Sequence, residues 1–191
     1  MCSRTGSLPP APSAYREGPL TWSATGGNPG GHAVIDDRTT GGVTYFVAPQ
    51  VFLGNQSAAL GTDLTFDLMQ IYPGSPNQFD SSDVVLQGGG LTLAFDTPDN
   101  PSNGSWTSYA VRLEAPGWRL NSLSGAQATP EQFATVLSNL TALRIRAEYQ
   151  TGADIGHLDN VALVPEPATW AMLGVGLAAV GFFGRRARTV R

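Results

Sequence analysis

Residues 129–149 read TPEQFATVLSNLTALRIRAEY, and the hydrophobic period changes inside this stretch. Thr129 is a natural helix N-cap, Pro130 suits the first helical position, and Gln132 stands where a capping box needs it. Phe133, Val136, Leu137 and Leu140 follow at i, i+3, i+4 and i+7, one face of a short amphipathic helix over 129–140. From Leu143 the period is two. Leu143, Ile145, Ala147 and Tyr149 point one way, and Arg144, Arg146 and Glu148 point the other, which predicts a strand with its charged side in water.

Outward from this stretch the two-residue period dominates. Strand candidates lie at 32–35, 43–48, 64–72, 83–86, 91–95, 108–114, 143–149 and 158–164. In 108–114, Tyr109, Val111 and Leu113 share a face. The intervening segments carry turn chemistry, as at Gly26-Gly27-Asn28-Pro29-Gly30-Gly31 and Thr97-Pro98-Asp99-Asn100-Pro101. The expected fold is mainly β: a β-sandwich of residues 19–164 with one short helix. Residues 1–18, rich in Ser, Pro and Gly, are expected to be disordered.

Composition narrows the function. The only cysteine is Cys2, which leaves no internal disulfide and no thiol-based centre in the body. Residues 1–164 hold 7 Arg against 14 Asp and Glu, a net of −7, whereas residues 165–191 hold 4 Arg against one Glu, a net of +3. An acidic body is a poor partner for nucleic acid. With two histidines and no nucleophile elbow, zinc-protease motif or phosphate loop, the chain does not read as an enzyme. Paired carboxylates are the remaining catalytic candidates, at Asp36/Asp37, Asp80/Asp83 and Asp96/Asp99. Each lies in or beside a turn-rich stretch, where Asp commonly caps the backbone.

The basic end has its own logic. Residues 168–184 carry no charge, and as a helix they would span about 26 Å, enough for a hydrocarbon core. Trp170 suits one interface, and Arg185, Arg186 and Arg188 would stop transfer at the other, leaving the C-terminus cytoplasmic and the body outside. Pro165-Glu166-Pro167 precedes this run. That triplet, the apolar run and the terminal Arg cluster resemble the PEP-CTERM sorting signal. The resemblance implies export to the cell surface or beyond in a Gram-negative bacterium that makes exopolysaccharide. It also implies processing by exosortase, a membrane protease, after a transient inner-membrane stage. An exported chain also needs a signal peptide, and residues 1–15 hold no apolar core of that kind.

The body is similar to the laminin B (laminin IV type) domain. The resemblance rests on Gly27-Asn28-Pro29-Gly30-Gly31, on Tyr45-Phe46-Val47-Ala48-Pro49 with Phe52-Leu53-Gly54, on 137–149, and on Leu158-Asp159-Asn160-Val161. It implies a jelly roll related to carbohydrate-binding modules and an adhesive or structural role in a biofilm matrix. Related modules place an acid at the start of the last strand as a calcium ligand, and a structural Ca²⁺ is the one cofactor considered. Asp159 with Asn28, Asp36 and Asp37 would supply its oxygens. The alternative is that Asp159 and Asn160 make turn hydrogen bonds. For a lectin-like reading, with exopolysaccharide as ligand, Trp106 and Trp118 at loop ends are the candidate platforms, although tryptophans of small sandwiches commonly belong to the core.

Overall fold

The computed structural model describes residues 15–17, 19–38, 42–73 and 81–163. Eleven strands and one helix follow in order: β1 (Tyr15–Glu17), β2 (Leu20–Gly27), β3 (Gly30–Asp37), β4 (Val43–Val47), β5 (Asp63–Ile71), β6 (Val84–Gly88), β7 (Leu91–Phe95), β8 (Thr107–Arg112), β9 (Arg119–Leu120), α1 (Pro130–Ser138), β10 (Leu140–Arg146) and β11 (Asp154–Ala162). Two sheets result, one ordered β1-β4-β10-β6-β7-β9 and the other β2-β3-β11-β5-β8. The sandwich expected from the two-residue period is therefore present. All pairings are antiparallel except β1 with β4.

The inward faces alternate as the sequence predicts. Tyr109, Val111 and Leu113 meet Leu143, Ile145 and Ala147 in a single core with Phe66, Leu68, Leu86 and Leu93. The helix forms as read: Thr129 and Gln132 complete the capping box, and Phe133, Val136 and Leu137 are buried. Trp118 packs edge-on against Phe133 at 5.4 Å and is fully buried.

Four findings depart from the sequence reading. Residues 15–17 form a strand inside the segment expected to be disordered. The run 20–27, which lies outside the strand candidates, is an eight-residue edge strand. Arg119–Leu120 adds a short outer strand. Finally, Arg146 and Glu148 do not face water, being 1% and 3% exposed. The Arg146 guanidinium donates to the Glu148 and Ser81 carbonyls, faces Asp83, and lies 4.3 Å above the Tyr149 ring. The neighbouring turns cover this face of β10, and the covered charge is met by carbonyls and a carboxylate, as burial requires.

Among the described residues no helix is long and apolar enough to cross a membrane. The expected spanning run 168–184, the triplet Pro165, Glu166 and Pro167, and Arg185, Arg186 and Arg188 all lie outside the described residues.

Candidate functional site

The outer face of the five-stranded sheet carries a polar row. Ser23 on β2 registers with His32 on β3, and Asp159 on β11 registers with Asp67 on β5, which registers with Ser108 on β8. The Asn28-Pro29 hairpin, with a cis peptide bond, folds over the row. Asn28 N–H donates to Asp159 Oδ2 at 2.7 Å, and its side-chain amide donates to Asp67 Oδ2 at 3.1 Å. Asn160, with φ +51°, turns its amide back to Asp67 Oδ2 at 2.6 Å and to the Asn28 carbonyl. Its own N–H donates to Asp159 Oδ1 at 2.8 Å.

The contacts Asp159 makes in this structure are those of the turn-hydrogen-bond reading. Asn28 and Asp159 meet, as the sequence suggests, but N–H donors occupy both Asp159 oxygens and Asp67 Oδ2. A calcium site presents oxygens inward, and in this structure these oxygens hold the Asn28 and Asn160 donors as a hydrogen-bond cluster. Asp36 and Asp37 stand at the far end of β3 from Asn28. Asp36 is held by Arg38 at 2.6 Å, and that bond keeps its carboxyl below the ordinary range. Asp37 accepts from the Thr44 hydroxyl. The four residues therefore cannot surround one ion. Among the described residues no three His, Cys, Asp or Glu side chains are grouped as a metal centre requires.

Beside the cluster two imidazoles meet from positions 125 residues apart. His32 Nε2 and His157 Nδ1 are 2.8 Å apart, so one donates and the other accepts. His32 is 4% exposed, and burial followed by the neighbouring His32 pushes the His157 pKa down, which favours a neutral His157. The two outward nitrogens, His32 Nδ1 and His157 Nε2, are buried and have no protein partner. Trp106 completes the group. Its indole N–H donates to the Gly26 carbonyl at 3.2 Å, and its ring stands edge-on to His32 at 5.4 Å and to His157 at 6.3 Å. Trp106 is half-buried.

The two tryptophans singled out from sequence thus part company. Trp106 lies on the outer face among polar groups. Trp118 is 0% exposed and donates to the Arg112 carbonyl, so it has no face to offer a ligand. The carboxylate pairs also fall away as catalytic dyads. Asp83 is buried, accepts from Thr97 N–H and hydroxyl, and faces Arg146, while Asp80 lies outside the described residues. Asp99 lends its carbonyl to Thr97 and Tyr109. His32, His157 and Asp67 were not found from sequence. The two-residue period puts each on an outer face, but nothing local says that strands so far apart in the chain are neighbours.

The comparisons with known proteins agree with this architecture. The laminin B (domain IV) family matches residues 45–166, and the PEP-CTERM protein-sorting motif matches residues 163–188, which marks the chain as exported. Human laminin subunit gamma-2 is 38% identical over 139 residues, 66% of this chain and 11% of that protein. Laminin-like protein lam-2 of Caenorhabditis elegans is 33% identical over 157 residues, 72% of this chain and 9% of that protein. The chain thus spans about a tenth of the length of these relatives. Among solved structures, the L4b domain of human laminin alpha-2 superposes with a TM-score of 0.57 at 17% identity, covering 62% of this chain and 68% of that one. Two sheets, the capped helix between β9 and β10, and the Asn28–Asp159 closure are thus carried by a chain that belongs to the laminin B (domain IV) family.

Proposed function

We propose that the body is a non-catalytic adhesion module of a surface or matrix protein, which exosortase processes through the Pro165-Glu166-Pro167 tail. In this reading the apolar run holds the chain in the inner membrane only until that step. The module engages extracellular polysaccharide at the Trp106 face. The observation that carries the ligand reading is the half-buried Trp106 on the outer sheet face, edge-on to His32 and His157 and beside the exposed Ser108 of the polar row. A sugar ring offers C–H groups to an aromatic side chain and hydroxyls to nearby polar side chains, which is the pairing such a surface accommodates. The acidic net charge of the body favours a neutral or cation-bearing polymer over an anionic one.

The test is titration of the full chain, in detergent, against the exopolysaccharide of the producing bacterium. Saturable binding that weakens at least tenfold in Trp106→Ala, with the circular dichroism spectrum unchanged, is the expected result. Absence of saturable binding, or binding untouched by that substitution, overturns the glycan assignment and leaves a structural module.

A further inference from the structure

β2 is an outer strand of the five-stranded sheet; its register with β3 shifts between Ser23 and Gly27, but Leu20–Ser23 pair regularly and carry no charge. Exposed edges are normally guarded by charge, proline or a bulge, because their unpaired backbone groups recruit other strands. Between Glu17 and Asp36 this chain has no Asp, Glu, Lys or Arg, and β2 itself reads LTWSATGG. Among the described residues β2 pairs only with β3. It also holds two of the large exposed apolar side chains, Leu20 at 59% and Trp22 at 71%. Trp22 lies so close upon Gly31 that a Cβ there would come within 2.5 Å of the indole. The ring is thus held in place on one side and bare on the other. Beneath the two side chains an apolar cleft of about 380 Å³ opens between the sheets, lined by Phe46, Pro49, Phe52 and Ile145 among others.

We infer that this edge is a self-association surface, on which β2 of a second copy of this chain adds antiparallel across a two-fold axis at Trp22. Two arguments favour a second copy. The first is charge: in an acidic body residues 18–35, which hold all of β2 and β3 up to Ile35, carry no Asp, Glu, Lys or Arg, so two copies approach there with little like-charge repulsion. The second is that the strand is complementary to itself. Antiparallel pairing centred on Trp22 sets Trp22 opposite the partner's Trp22, Leu20 opposite the partner's Ala24, and Thr21 opposite the partner's Ser23. A large side chain then faces a small one, hydroxyl faces hydroxyl, and the two indoles meet over the mouths of the two clefts. Leu20, Trp22 and Ala24 share one face of the strand by period. The product is a continuous sheet of twice five strands with neither β2 edge left open.

The experiment is sedimentation of the full chain in detergent, alongside Trp22→Lys, which adds the missing guard. The wild type is expected as a dimer at micromolar concentration and the variant as a monomer, with the near-ultraviolet signal of the buried Trp118 retained. A second variant, Trp22→Cys in a Cys2→Ser background, is expected to form an intermolecular disulfide on mild oxidation, because position 22 faces itself. A monomeric wild type overturns the inference. So does a dimer that survives Trp22→Lys, which would place the contact on the tail or another surface, and so does a Trp22→Cys chain that fails to cross-link. Polysaccharide binding at Trp106 is read in a separate assay and stands or falls independently.

Discussion

Asp154 is a carboxylate whose partners do not balance its burial. Tyr149 N–H donates to Oδ2 at 3.1 Å, while Oδ1 is buried with no partner. Burial, with the nearby Glu148 and Asp37, outweighs the backbone donor and pushes the pKa up to about 7. An unfolded aspartate titrates near ~3.9. Between those values the folded chain holds a proton that the unfolded chain has released. The contribution to stability is therefore full below pH ~4 and is lost as pH rises toward 7. The depressed pKa of His157 gives the opposite slope, stability being lost as pH falls below its unfolded value near ~6.5. Asp154→Asn should remove only the first component. The variant's melting temperature should gain on the wild type by several degrees between pH 4.5 and 7.5, and parallel melting curves would contradict the assignment. At this scale the sequence was informative about inward apolar residues and poor on polar ones. A period of two says that Arg146 leaves the core, but not that turns from elsewhere will cover it.

The helix is the element most plainly written in the sequence, because capping and the 3.6-residue period are local. Its seat is not local. Gly88, at the end of β6, lies so close to the last turn of α1 that an added Cβ would come within 2.5 Å of both the Val136 and Asn139 carbonyls. Neither backbone atom can withdraw without unseating the helix, whose Phe133 packs on Trp118. Gly88→Ala is therefore expected to destabilise the protein by about 2–3 kcal/mol, in the range of core overpacking, as read by urea denaturation. A change below about 0.5 kcal/mol would mean that the helix shifts freely. Edge strands were the least legible elements. Five of the eight residues of β2 are Ser, Thr or Gly, with no buried position to set a period, and the two residues of β9 are too few to show one.

Across the whole molecule, pairing is overwhelmingly between distant segments. The family resemblance supplied the jelly-roll class but not the pairing: the sheets come from chain segments far apart, with β11 between β3 and β5 and β10 between β4 and β6. That order has a consequence for when the protein can fold. The middle of each sheet is furnished by β10 and β11, the final strands before residue 163. A nascent or translocating chain that has delivered everything up to residue 139 holds only separated hairpins and edges, β2–β3 and β5–β8 lying on either side of a vacant central lane. Such a chain remains threadable through a narrow channel and compacts only once its last stretch has cleared. A version ending at residue 150 should accordingly show no cooperative thermal transition, and a sharp one would place the folding nucleus earlier in the chain. Because the apolar run starts at residue 168, the strand that completes the five-stranded sheet is drawn out directly before it. With the membrane stage proposed above, completion of the fold and arrest of the chain would fall at almost the same moment, and the tail would reach its protease attached to a finished module.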